Sequence, residues 1–212
     1  MSKFIVIEGV DGAGTTTQAH QLQRALEARG VAVHLTREPS TGPVGAMLRQ
    51  ALTHRLVSPG GRPLGWETMA LLFAADRADH VENDITPALR QGKLVLCDRY
   101  DASSVAYQSL TSEGAPEDVM PWVRSINARA RRPDLVLVLD VAPEVAEERR
   151  DLRGGPEELY DTRDLQRRLC GFYTELERYM PEDNIVHIDG HQSVDAVAAE
   201  LAGHVFRLLV QP

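Results

Sequence analysis

Apolar runs of strand length lie at Phe4 to Ile7, Val31 to Leu35, Leu94 to Cys97, Leu135 to Leu139 and Ile185 to Ile188, and stretches with helical periodicity separate each from the next. Strands that are apolar at nearly every position are buried on both faces, so this alternation predicts a parallel sheet covered by helices. The helical pattern extends over Thr16 to Arg29, Val44 to Thr53, Trp66 to Gln91, Pro116 to Arg129, Pro143 to Leu152, Glu158 to Tyr179 and Val194 to Leu209. The Gly- and Pro-rich Ser58 to Gly65 and the segment Arg153 to Pro156 stand outside it. In sheets of this kind ligands collect beyond the carboxyl ends of the strands. Those positions hold Glu8 to Gly14, Thr36 to Pro39, Asp98 to Tyr100, Asp140 to Val141 and Asp189 to His191, a mostly charged set.

The first of these segments, Glu8-Gly9-Val10-Asp11-Gly12-Ala13-Gly14-Thr15-Thr16-Thr17, fits the phosphate-binding pattern G-x-x-x-x-G-K-[ST] at Gly9, Gly14 and Thr16. Thr15 stands where the lysine is expected. Glycines at 9, 12 and 14 permit positive φ and turn N–H groups inward around an anion, and the next helix adds unpaired first-turn N–H groups and a positive dipole end. None of this needs the lysine. Thr16 offers a hydroxyl to magnesium. The only lysines, Lys3 and Lys93, each begin a strand. At about 3.3 Å per residue, a strand of this length holds them roughly 16 Å from the carboxyl edge, out of reach.

Composition narrows the class. With 212 residues, 25% charged and 43% apolar, the chain fits one globular α/β domain. A net charge of −8 argues against non-specific binding of nucleic acid or an anionic membrane. Cys97 and Cys170 have neither zinc-site spacing nor a disulfide framework, which fits a reducing compartment. No signal-peptide pattern opens the sequence, and no apolar run approaches the roughly 18 residues of a membrane helix. A cytoplasmic protein is expected.

Within Leu72-Phe73-Ala74-Ala75-Asp76-Arg77-Ala78 the helical spacing puts the Phe73 ring and the Arg77 guanidinium on one face, able to stack on a base and donate to its carbonyls. This segment, the loop, Thr36-Arg37-Glu38-Pro39, Asp98-Arg99-Tyr100 with Ser103 and Ala106-Tyr107-Gln108, and Leu139 to Glu144 resemble bacterial thymidylate kinases, in order and over almost the whole chain. The resemblance implies a three-layer P-loop nucleoside monophosphate kinase fold with a five-stranded parallel sheet. It implies one domain over 1–212, a lid near 149–160, and a homodimer. The implied reaction is ATP-dependent phosphorylation of dTMP to dTDP with Mg2+.

Roles follow at the matched positions. Phe73 would stack on thymine, with Arg77 and the segment Ser104 to Gln108 reading its polar edge. Tyr107 would lie against the sugar, Asp11 would take the 3′-hydroxyl, Arg37 and Arg99 would hold the monophosphate, and Asp98 would act on magnesium through water. Ser104 departs from relatives with asparagine there. In relatives with a small residue at the position of Ala13, the catalytic arginines come from the lid, which points to Arg149 and Arg153, spaced i and i+4. Losing one preorganised positive group costs about 10²- to 10³-fold in rate, so a slow or lid-dependent kinase is expected rather than a dead one. Two alternatives stand: a nucleotide-binding protein without catalysis, and a kinase for another deoxynucleoside monophosphate.

Overall fold

The computed structural model describes residues 2–154 and 158–210. Strands β1 (Phe4–Gly9), β2 (Val33–Arg37), β3 (Leu94–Asp98), β4 (Leu135–Asp140) and β5 (Ile185–Asp189) form one all-parallel sheet in the order β2-β3-β1-β4-β5. The apolar runs are found as strands, but each ladder continues past its run onto polar residues. Ile7 pairs with Asp98, Arg37 with Asp98, and Asp140 with Asp189. Backbone hydrogen bonds do not depend on side-chain polarity, so the charged carboxyl edge is part of the rigid sheet.

Helices α1 (Thr15–Glu27), α2 (Pro43–Leu52), α3 (Trp66–His80), α4 (Thr86–Arg90), α5 (Asp101–Thr111), α6 (Pro116–Ile126), α7 (Pro143–Arg153), α8 (Arg163–Thr174), α9 (Leu176–Tyr179) and α10 (Val194–Val210) cover the sheet. Ile5, Ile7 and Leu96 bury with Leu22 and Leu26 of α1 in one cluster. Phe4, Val6, Val95 and Cys97 bury with Ile85, Ala88 and Tyr100 in another. Among the described residues no helix is long and apolar enough to cross a membrane.

Three expectations about helices are corrected. The stretch Trp66 to Gln91 is interrupted by a π-helical turn over Val81–Ile85, where Pro87, lacking an N–H, cannot complete a regular ladder. The stretch Glu158 to Tyr179 begins only at Arg163 and breaks at Glu175 into α8 and α9. Helix α5 was not expected at all, because its buried stripe consists of small or polar residues, Ala102, Ala106, Ser104, Gln108 and Ser109, beside Val105 and Tyr107. The expected lid is helical over 149–153, as the end of α7, while 155–157 lie outside the described residues.

The connection after β1 leads toward β2 and that after β4 toward β5, in opposite directions along the sheet. A crevice opens between adjacent strands at such a reversal. It is here that the Gly9 to Gly14 loop meets α7.

Candidate active site

Gly12 has φ 91° and Gly14 has φ 97°, conformations that side chains other than glycine seldom adopt. At Gly12 space is the second constraint, since a Cβ there would overlap the Ala146 carbonyl of α7 far inside van der Waals contact. Gly14 is the N-cap of α1 and supplies no side-chain cap. Among the described residues the N–H groups of Gly12, Gly14, Thr15, Thr16 and Thr17 meet no acceptor, so the loop is an anion cradle made of backbone. Thr15 is only 6% exposed and packs its methyl beside Gly9. Lys3 pairs with Asp134 at 3.6 Å on the amino edge of the sheet, and Lys93 precedes β3, so neither lysine serves the loop.

Thr16 Oγ1 donates to Asp98 Oδ2 at 2.5 Å, and Asp98 Oδ1 is buried without a hydrogen-bond partner among the described residues. A hydroxyl beside a carboxylate with an unused oxygen fits hydrated magnesium, which draws its remaining ligands from water and phosphates. Among the described residues no cluster of His, Cys, Asp and Glu could hold a metal by itself.

A cleft of about 330 Å³ opens from this point, lined by Asp11, Arg37, Phe73, Arg77, Asp98, Arg99, Ser104, Tyr107 and Gln108 together with Glu158, Tyr160 and Asp161. Arg99 is a non-glycine residue at φ 68°, the kind of backbone outlier that clusters at functional sites. Its Nη1 donates to the Gly9 carbonyl at 2.8 Å and its Nη2 to Asp11 Oδ1 at 2.5 Å. Tyr107 donates its hydroxyl to Asp11 Oδ2 at 3.1 Å. Burial works against the Asp11 charge, but Arg99, the Tyr107 hydroxyl, Arg153 and Arg150 outweigh it and hold the carboxyl below the usual range.

A lowered carboxyl value means that Asp11 contributes stability above the ordinary carboxylate range and loses it as pH falls through the folded-state value. The melting temperature of the wild type is therefore expected to exceed that of Asp11→Asn at neutral pH, with the gap closing in acid. Calorimetric melts of both proteins across that range check it; a gap independent of pH would show that the ion pair does not titrate as described.

The inner wall belongs to α3 and α5. Arg77 is 1% exposed and donates to Glu38 Oε2, the Tyr100 carbonyl, Ser104 Oγ and Asn127 Oδ1. Ser104 is thus an acceptor for Arg77. Two atoms of this wall have no partner among the described residues, the donor Arg77 Nε and the acceptor Gln108 Oε1. Unpaired buried polar atoms are costly, and this donor and acceptor lie buried in the wall of the cleft.

The arginines separate. Arg37 is exposed at the mouth of the cleft. Arg149 donates to the carbonyls of Ala13 at 3.3 Å and Gly190 at 2.9 Å, beside a second cleft of about 170 Å³ lined by Gly14, Thr17, Gln18, Gln192 and Val194. Arg153 ends α7, exposed, with no hydrogen bond to the described residues.

Four residues received no role from sequence reasoning. Arg150 donates to the Asp11 carbonyl at 2.6 Å. Gln166 donates to the Tyr160 carbonyl at 2.8 Å and lies 3.4 Å from Asp11 Oδ2. Tyr160 stacks obliquely on Tyr107 with ring centroids 5.3 Å apart. Glu8, fully buried, accepts from the Tyr100 and Ser103 N–H groups and from the hydroxyls of Ser103 and Tyr173, and burial pushes its carboxyl up. Only Glu8 left a signal, a carboxylate continuing an apolar strand.

Comparison with known proteins agrees with this geometry. The family model described as Thymidylate kinase matches residues 7–201. A "Probable thymidylate kinase" of Pyrococcus horikoshii is 41% identical over 184 residues, covering 87% of each chain. One of Thermococcus gammatolerans is 38% identical over 212 residues, covering 97% of this chain and 96% of its own. A "Thymidylate kinase" of Symbiobacterium thermophilum is 36% identical over 201 residues, covering 95% and 91%. With the family pattern running through both the loop and the cleft, the chain belongs to the thymidylate kinase family.

Proposed function

We propose that the chain transfers the γ-phosphoryl group of ATP directly to dTMP, as a thymidylate kinase of the type the sequence resembles in bacteria, with Thr15 in the place of the loop lysine. The observation that carries the acceptor is the buried, unpaired donor and acceptor on the inner wall. Arg77 Nε is a donor and Gln108 Oε1 an acceptor, matching the O4 acceptor and N3–H donor of a keto pyrimidine. Cytosine presents the opposite pattern at both atoms. Phe73 supplies the stacking face, and Tyr107 with Asp11 closes the sugar side, where an added 2′-hydroxyl would meet the phenol ring.

Phosphates would enter between Arg37, Arg99 and the loop N–H groups, with ATP reaching across from the cleft beside Arg149. Magnesium held by Thr16 and, through water, Asp98 would neutralise charge on the transferred phosphoryl group. The protein's own part is to hold the two substrates in line and exclude water. The family resemblance implies a homodimer. Met47 on α2 and Leu71 on α3, 45% and 51% exposed on helices that pack together, suit such a contact.

A coupled assay is expected to show turnover with dTMP above dUMP, and far above dCMP and dGMP. Gln108→Leu should raise the KM for dTMP about 10-fold, the loss expected when a buried N–H is left unmatched. Turnover with none of the four would refute the kinase; equal use of dCMP would refute the base reading. Tight dTMP binding without transfer would favour a non-catalytic nucleotide-binding protein.

A further inference from the structure

Glu8 is the next-to-last residue of β1 and is fully buried. Strand alternation puts it on the face of Phe4 and Val6, whose cluster contains Tyr100. An apolar side chain would fill that place without electrostatic cost, whereas a carboxylate there must be matched by donors. Four donors converge on it. Oε1 accepts the N–H groups of Tyr100 at 2.8 Å and Ser103 at 3.2 Å, and Oε2 accepts the hydroxyls of Ser103 at 2.6 Å and Tyr173 at 3.1 Å.

The two N–H groups show what the carboxylate does. Tyr100 is the N-cap of α5 and makes no side-chain cap, and Ser103 is the third residue of the first turn. A capped helix normally satisfies these two N–H groups from its own first residues, one from the N-cap side chain and the other from the third residue. Here a single carboxylate on a strand takes both. Arg99 is the one residue between the end of β3 and this cap, and it stands at φ 68°. Three successive residues of β1 hold it in place. The Ile7 carbonyl accepts its N–H at 2.9 Å, Glu8 fixes the helix start that follows it, and the Gly9 carbonyl accepts Nη1 at 2.8 Å. Nη1 also donates to Ser103 Oγ at 3.2 Å, the hydroxyl that Glu8 Oε2 orients. The Arg99 side chain remains 17% exposed, in the wall of the cleft.

We propose that Glu8 is a positioning residue for phosphoryl transfer: by capping α5 from the strand that leads into the phosphate loop, it holds Arg99 at a fixed distance from that loop, with the guanidinium turned toward the phosphate of the nucleoside monophosphate. This rests on the assignment of Arg99 to the monophosphate. Without the carboxylate, the N–H groups of Tyr100 and Ser103 lose their acceptor and the left-handed backbone at Arg99 is no longer held, so the acceptor phosphate shifts relative to the donor. The body of α5, seated by the buried Val105 and Ala106, stays in place, and the nucleoside half of the substrate is unaffected.

The test uses the full chain and compares dTMP with thymidine, which lacks the phosphate. Glu8→Gln keeps the volume and one acceptor oxygen but puts an amide where the second carboxylate oxygen stood. Ser103→Ala removes the hydroxyl between Glu8 and Arg99 and leaves the cap. Both should raise the calorimetric Kd for dTMP about 10-fold, the scale of one net hydrogen bond, and lower kcat by at least as much. The Kd for thymidine and the KM for ATP should stay within about 2-fold. Each substitution should add little to Arg99→Ala, because its effect runs through that guanidinium. Should Glu8→Gln not fold, Ser103→Ala, at a half-buried position, carries the comparison. Folded variants that bind dTMP as the wild type does, that lose dTMP and thymidine equally, or whose losses add in full to that of Arg99→Ala would overturn the proposal. An Arg99→Ala protein with the wild-type ratio of dTMP to thymidine affinity would instead show that Arg99 does not hold the phosphate, and would remove the assignment on which the proposal rests.

Discussion

Replacing Gly12 by alanine is expected to lower turnover by at least about 10²-fold and to cost the protein several degrees of melting temperature. The new methyl would lie inside the Ala146 carbonyl oxygen, a backbone atom that cannot rotate away, and the residue would be held at φ 91°. Left-handed backbone alone costs a non-glycine residue roughly 1 to 2 kcal/mol. The overlap adds displacement of either the loop or α7. Those two elements hold the cradle of N–H groups on one side and Arg149, Arg150 and Arg153 on the other, so a shift of about 1 Å misaligns donor and catalyst together. Gly14→Ala separates the causes. It has a similar φ of 97° but nothing within contact of the added methyl. It should therefore show the conformational cost alone, with a smaller loss of rate. Steady-state kinetics and thermal melts of both variants make the comparison, and a Gly12→Ala enzyme no worse than Gly14→Ala would mean that the seating of α7 on the loop is not required.

That seating was invisible in the sequence, whereas the sheet was not. Continuous apolar runs announce buried strands because nothing else in a domain of this size needs them. The loop was legible because its glycines encode backbone geometry directly. Helix α5 was not, since its buried face is built from Ala102, Ala106, Ser104 and Gln108, which carry almost no hydrophobic period. The polar side chains earn their burial from partners brought in by the fold, as Ser104 does from Arg77. The contact between Gln166 and Asp11 spans 155 positions, and no local pattern reports such a distance. The π-helical turn is a matter of one extra residue per turn, to which side-chain periodicity is nearly blind. The cleft-lining residues on the strand ends and in contiguous motifs were therefore named from the sequence, and those that arrive by packing, Arg150, Tyr160 and Gln166, were not.

Among the three arginines of α7, Arg153→Ala should cause the largest fall in kcat, about 10²- to 10³-fold, with the KM for dTMP nearly unchanged. A group that compensates for the absent lysine must have donors to spare for the transferring phosphate. Arg149 already gives hydrogen bonds to the carbonyls of Ala13 and Gly190, and Arg150 gives one to the Asp11 carbonyl. Both are thereby braces for the loop and the cleft beside it. Arg149→Ala should act mainly on the KM for ATP, and Arg150→Ala on both substrates through Asp11. Arg153 has no such engagement among the described residues, yet its charge is felt at Asp11, and it is the last residue of α7. Arg153→Lys should recover part of the rate, since charge is retained while the two-pronged contact is lost. The reciprocal experiment is sharper. Thr15→Lys returns the charge to its usual place in the loop, so it should restore activity to Arg153→Ala by more than it improves the wild type. Single-turnover measurements on the four proteins provide the cycle, and a Thr15→Lys effect that is the same in both backgrounds would show that Arg153 does not stand in for the lysine.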